Sequence, residues 1–154
     1  MHSDNTPKPL SIEELKTFLK RHSMKITPQR VAVHNAMLAL GHASADMVAE
    51  HITNEGTAKV TVASVYNILT TMADIGVYRH RMSANCKMYF DVNTFMHIHL
   101  YDTVSNTFRD IFDDELIETV TEKLRRRKFK GYNVEGFDIQ ILCHPSRRGR
   151  KQQH

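Results

Sequence analysis

The chain has 154 residues, 41% of them hydrophobic, which is enough for one or two small domains that fold without covalent staples. Its formal net charge of +4 suits a polyanionic partner without proving one, and two cysteines, Cys86 and Cys143, exclude the disulfide framework of a small secreted domain. No apolar signal-like run opens the sequence and no stretch approaches the roughly 20 apolar residues of a membrane-spanning helix, so a cytoplasmic protein with no membrane partner is expected.

Met1 to Pro9 is polar with two prolines and reads as a flexible arm. Ser11 with Glu14 makes a capping-box pattern that opens a first helix to about His22. Thr27-Pro28 repeats the signal, a hydroxyl cap followed by proline at the first helical position, for a second helix to Leu40, stopped by Gly41. Ser44 caps a third, with Ala45, Val48, Ala49 and Ile52 on one face, ending before Gly56. From Thr61, the stripe Val62, Val65, Leu69 and Met72 predicts a fourth helix with Gly76 as its stop.

After Gly76 the texture changes. Val77 to Arg81 and Lys87 to Val92 read as extended segments around the turn-rich Ser83-Ala84-Asn85, and helices followed by a hairpin suggest a winged helix. Further on, His97 to Val104, Thr107 to Phe112 and Phe137 to Cys143 alternate as strands, with a helix from Asp113 to about Lys128 between the second and third. The fold class expected is α+β, an N-terminal winged-helix DNA-binding domain plus a small C-terminal dimerisation domain. The expected boundaries are an arm over 1–9, a DNA-binding domain over 10–92, a dimerisation and metal-sensing domain over 93–145, and a basic disordered tail over 146–154.

In a winged helix the second helix of the helix-turn-helix pair enters the major groove. With the apolar stripe of the fourth helix turned inward, its first two turns present Ala63, Ser64, Tyr66 and Asn67, side chains that suit thymine methyls, phosphates and base edges. Lys25 and Arg30, with Arg79, His80 and Arg81, are candidates for phosphate contacts. The same texture also fits an ordinary helical domain whose exposed face is merely polar.

His97-x-His99 lies in an alternating segment, and residues i and i+2 of a strand share a side at about 6.5–7 Å. Asp91 precedes the pair and Asp110 follows it in a segment able to return as a hairpin through Ser105-Asn106. Imidazole with carboxylate suits Fe(II), Mn(II), Zn(II), Co(II) or Ni(II) without choosing among them. A surface or interface histidine pair is the competing explanation.

Together these residues resemble the ferric uptake regulator family over about Leu10 to Pro145. Met24-Lys25-Ile26-Thr27-Pro28-Gln29-Arg30 is similar to that family's entry into its second helix, and Val62-Ala63-Ser64-Val65-Tyr66-Asn67-Ile68-Leu69 to its recognition helix, most closely in the peroxide-sensing branch. His42-Ala43-Ser44-Ala45-Asp46 resembles the loop into the third helix. Phe90-Asp91 before His97-Ile98-His99, with Asp110 eleven residues beyond His99, reproduces the spacing of the regulatory site. The resemblance implies a five-donor metal site of His42, Asp91, His97, His99 and Asp110; His42 enters through the resemblance alone. It also implies an ion that clamps two domains, and a homodimer whose recognition helices lie about 34 Å apart on a double-stranded DNA operator.

Departures from the family pattern matter as well. The positions of its structural Cys-x-x-Cys pairs hold Asp102, Ser105, Cys143 and Ser146, so no tetrathiolate zinc is expected. The dimerisation domain is then expected to hold itself by apolar packing of Ile111, Phe112, Leu116, Val120, Leu124, Ile139 and Ile141. Met96 and Ile98 replace the donors of a further family site, which is not expected either.

The expected function is a metal-dependent transcription regulator, a repressor by resemblance, sensing iron or peroxide through one divalent ion per chain. Fe(II) or Mn(II) is the working metal, with Zn(II) possible as purified. The alternatives are a zinc- or manganese-sensing relative, a metal-independent DNA-binding module, and a non-heme metalloenzyme. Five protein donors leave little room for substrate, and no catalytic motif or catalytic residue stands out.

Overall fold

The computed structural model describes residues 8–146, as two compact units that divide after Phe95. The expected boundary fell after Val92. The remaining residues, which include most of the proposed arm and the tail from Arg147, lie outside the described part.

Unit one carries four helices and a small sheet. Helix α1 (Ile12–Arg21) opens on the Ser11 and Glu14 box: the Glu14 amide donates to Ser11 Oγ at 3.2 Å and the Ser11 amide donates to Glu14 Oε2 at 2.7 Å. Helix α2 (Pro28–Leu40) is capped by Thr27, α3 (Ala45–Glu55) by Ser44, and α4 (Val62–Asp74) by Thr61, whose hydroxyl accepts from the Ser64 amide at 3.1 Å. Each cap satisfies an amide that the first turn would leave unpaired. Gly56 closes α3 at φ 67°, a left-handed position where a side chain would be strained.

Leu15 and Leu19 of α1, Val33 and Met37 of α2, Val48 and Ile52 of α3, and Val65, Leu69 and Met72 of α4 meet in one core closed by Phe90. Val62 departs from the expected stripe and is exposed. It is the first residue after the cap, where the helix projects beyond the packed turns.

The sheet of unit one has the order β1-β3-β2, built from β1 (His42–Ala43), β2 (Arg79–Met82) and β3 (Met88–Asp91). Strands β2 and β3 form the expected hairpin. The two-residue β1 was not foreseen. It pairs antiparallel with β3 and puts His42 opposite Asp91.

Unit two contains β4 (Ile98–Asp102), β5 (Thr107–Ile111), α5 (Asp114–Arg126) and β6 (Ile139–Cys143), with sheet order β5-β4-β6. Strands β4 and β5 make an antiparallel hairpin, whereas β6 runs parallel to β4, a return that needs the intervening crossover through α5. Helix α5 is capped by Asp113 and complements its dipole with acids in the first turn and bases in the last.

The expected core of this unit needs correction. Phe112, Leu116 and Ile141 are exposed, and Ile111, Val120, Leu124 and Ile139 are only partly buried. The fully buried apolar side chains are instead Ile98 and Tyr101 of the central strand, and no residue of α5 is buried. Three strands and one helix in a single chain have too little surface to enclose every apolar side chain they carry.

Candidate metal centre and nucleic-acid face

In an antiparallel pair, residues directly opposite one another project to the same face. Unit one uses this register to bring His42 Nδ1 to 3.3 Å from Asp91 Oδ2. Asp91 is buried, and its other oxygen accepts from the Asn93 amide at 2.8 Å, which fixes the carboxylate. Sequence spacing offered no reason for His42 to approach Asp91; the short β1 strand supplies it.

Unit two repeats the device with His99 opposite Asp110. His97 sits just before β4 rather than within it, and its ring lies with its centroid 4.2 Å from that of His99. Asp110 Oδ1 is 3.2 Å from His97 Nε2 and 3.7 Å from His99 Nε2, and the three donor groups lie within 4.8 Å of one another. Both histidines are buried.

This donor set fits a borderline divalent ion. Imidazole nitrogens and carboxylate oxygens are brought together by strand register, and buried ionisable groups of this kind are paired or bind metal. Asp138 is a residue that sequence reasoning missed: its Oδ1 lies 3.7 Å from His99 Nδ1.

The thiolate positions of the family pattern have a different role here. Asp102 Oδ1 accepts from the amides of Val104 at 2.8 Å and Ser105 at 3.3 Å, closing the β4–β5 turn. The Val104 bond, ahead of the opposing effect of burial and the Ser105 bonds, holds the Asp102 carboxyl below its ordinary range. Thr103 donates its amide and its hydroxyl to the Cys143 carbonyl, at 2.9 and 3.0 Å, and Cys143 Sγ donates to the Tyr101 carbonyl at 3.4 Å.

On unit one, the exposed start of α4 is flanked by two concavities. One, of about 650 Å³, gathers Lys25, Arg30, Ser64 and Asn67 and adds Lys59, which the sequence reading did not single out. The other, of about 440 Å³, gathers Ala63, Tyr66 and Asn67 beside Lys87, which pairs with Asp46 at 3.1 Å. Asn67 is the ridge between them. Tyr66 is 42% exposed while its ring meets the buried Phe90 edge-on at 6.2 Å, so it is held yet reachable. The Ser64 hydroxyl is engaged in the α4 cap, and Arg30 Nη1 donates to the Lys25 carbonyl. Arg79, His80 and Arg81 all lie on β2.

A winged helical unit followed by an α+β unit, each with a cross-strand histidine–aspartate pair, defines a two-part protein with donors for a transition metal in both parts. The chain belongs to the ferric uptake regulator family, whose sequence model matches residues 21–139 and whose members are transcription regulators rather than enzymes. It is 29% identical over 90 residues to the peroxide-responsive repressor PerR of Staphylococcus epidermidis, a match covering 58% of this chain and 59% of that protein.

Among solved structures, the ferric uptake regulator of Vibrio cholerae aligns with TM-score 0.72 at 18% identity, covering 85% of this chain and 99% of that one. The Campylobacter jejuni peroxide stress regulator aligns with TM-score 0.62 at 24% identity, covering 87% and 98%. Those likenesses establish the fold.

Proposed function

We propose that this protein is a metal-dependent DNA-binding repressor in which one divalent ion per chain takes donors from both units: His42, Asp91, His97, His99 and Asp110. The observation that carries the reading is the repeated cross-strand pair, His42 with Asp91 and His99 with Asp110. A group that draws on both pairs couples the orientation of one unit to the other. Unit one then presents Ala63, Tyr66 and Asn67 to base edges, with Lys25, Arg30 and Lys59 facing phosphates and Ser64 placed at the start of the helix.

Regulation requires that the unclamped chain bind DNA less well. In a homodimer both recognition helices must meet successive major grooves about 34 Å apart, and two hinged units waste affinity on orientations that miss. The exposed apolar side chains of unit two, Leu116 of α5 and Leu142 of β6 among them, are the surface that a second copy would cover.

The similarity to peroxide-responsive repressors and the aspartate at position 110 favour Fe(II) as the working metal, with Mn(II) as its non-oxidising substitute and Zn(II) as an ion that co-purifies. Bound ferrous ion would supply the electrons for peroxide reduction beside the imidazoles. The site carries both readings, iron sensing and peroxide sensing, through the same residues, and His42, His97 and His99 are the groups whose oxidation separates them.

The test is DNA binding of the full chain, metal-free and loaded with each metal in turn. Metal should strengthen binding, and His97→Ala and His99→Ala should abolish the stimulation while leaving the helix content of the folded protein unchanged. Metal-free protein that binds its operator as tightly as the loaded form would show the clamp mechanism to be wrong.

A further inference from the structure

Beyond the five donors, we infer that Asp138 is a positioning residue that holds the His99 ring in the tautomer able to bind the ion. The inference rests on the proposed metal site. A neutral imidazole offers a lone pair at one nitrogen only when its proton sits on the other, and metal-binding histidines characteristically give that other N–H to a carboxylate, carbonyl or water. The two nitrogens of His99 face different partners. Nε2 is turned to Asp110, the carboxylate it shares with His97 Nε2, and Nδ1 is turned to Asp138 Oδ1.

The backbone sets this arrangement. Parallel pairing places Ile139 opposite Ile98 and Gln140 opposite His99, so Asp138, immediately before β6, is delivered beside the histidine strand by register. His99 is buried, whereas the Asp138 side chain is 48% exposed. At 3.7 Å the pair is at ion-pair distance and longer than a hydrogen bond. At that distance its negative charge favours the proton on Nδ1, which puts the ring's lone pair on Nε2, the nitrogen turned to Asp110. Carboxylate, imidazole and ion in series fix ring orientation and raise the basicity of the ligand.

The experiment uses the full-length protein and Mn(II) alone. Affinity is measured by competition with a chelating fluorophore for the parent, Asp138→Ala, Asp138→Asn, His97→Ala and His99→Ala. Asp138→Ala should weaken Mn(II) binding about ten- to hundredfold. Asp138→Asn keeps an acceptor oxygen at nearly the same place and should recover part of the loss, which a merely structural role would not predict. In the metal-free parent, nitrogen-detected NMR of His99 should show the proton on Nδ1.

Asp138→Ala protein that binds Mn(II) within about twofold of the parent overturns the inference, since an outer-sphere carboxylate should matter more than that. So does a His99 protonated on Nε2 in the parent, a result that needs no variant to fold. If His97→Ala and His99→Ala also retain parental affinity, the proposed metal site itself is wrong. If they lose it while Asp138→Ala does not, only the role of Asp138 falls.

Discussion

Lys25 and Asn67 line the same concavity beside α4 yet should fail differently when removed. Lys25 is an exposed cation in the loop before α2 and, on the proposed function, a phosphate contact; each such contact contributes about 0.9 to the slope of log affinity against log salt. A dimer loses two such contacts in Lys25→Ala, so the slope should flatten by about 1.8, and the variant's deficit should shrink roughly twelvefold for a roughly fourfold rise in salt. Operator and random DNA should suffer alike. Asn67 stands on the ridge between the two concavities, and a bidentate amide contact to a base contributes roughly 1–3 kcal/mol of discrimination per half-site. Asn67→Ala should therefore lower the ratio of operator to random affinity and leave the salt slope in place. The assay is fluorescence anisotropy of metal-loaded protein on an operator selected from a random pool, against a scrambled duplex, across a salt series. A Lys25→Ala slope equal to the parent's, or an Asn67→Ala loss equal on both duplexes, would refute the placement of this face.

Three further outcomes are expected. Protein stripped of metal by chelation should sediment as a dimer and retain no zinc, while Leu116→Glu on the exposed apolar side of α5 should shift it towards monomer; one zinc per chain held through Cys143 would contradict this. His34 is buried, bonded through Nε2 to the Leu10 carbonyl at 2.6 Å and through Nδ1 to the Tyr78 hydroxyl at 2.8 Å, and burial lowers its pKa in opposition to the Leu10 bond. The unfolded chain then takes up the proton first, so unit one should be fully stable above the ordinary histidine value and lose stability as pH falls below about 6.5. His34→Gln should cost roughly 1–3 kcal/mol at neutral pH and flatten that acid slope in urea melts; a slope unchanged from the parent's would assign the effect to other groups. Finally, brief peroxide treatment of Fe(II)-loaded protein should add one oxygen to a peptide containing His42, or to one containing His97 and His99, as read by mass spectrometry. Intact histidines and intact DNA affinity, with Cys86→Ser alone changing the response, would leave plain iron sensing as the better reading.

What the sequence made legible was local. The four helices of unit one announce themselves because each begins with a hydroxyl that caps its own first turn, and the stripe Val65, Leu69 and Met72 needs only helical period to be seen. The β2–β3 and β4–β5 hairpins follow from turn residues between alternating runs. Strand β1 stayed hidden because two residues have no period, and its partner lies two helices and a strand further along the sequence. Asp138 stayed hidden for a related reason: its meeting with His99 depends on a parallel register set by a long crossover, which no short spacing encodes. The apolar side chains of unit two were recognised as apolar, but their partners were not. Pattern marks Leu116 and Ile141 as wanting cover, and it cannot say whether that cover comes from the same chain.

The turn at Asp102 changes what the second unit answers to. A zinc knot is made of exchangeable parts: a chelator can strip it and an oxidant can convert its thiolates to disulfides. The fastening here consists of a carboxylate on two amides and a threonine on a backbone carbonyl. A chelator has no tetrathiolate to strip where Asp102, Ser105 and Ser146 stand, and the thiol of this corner is the half-buried Cys143. On the proposed function, such a corner would keep its form under chelation and oxidation, and a change in DNA affinity under those conditions would then trace to the histidine and aspartate donors rather than to a scaffold coming apart.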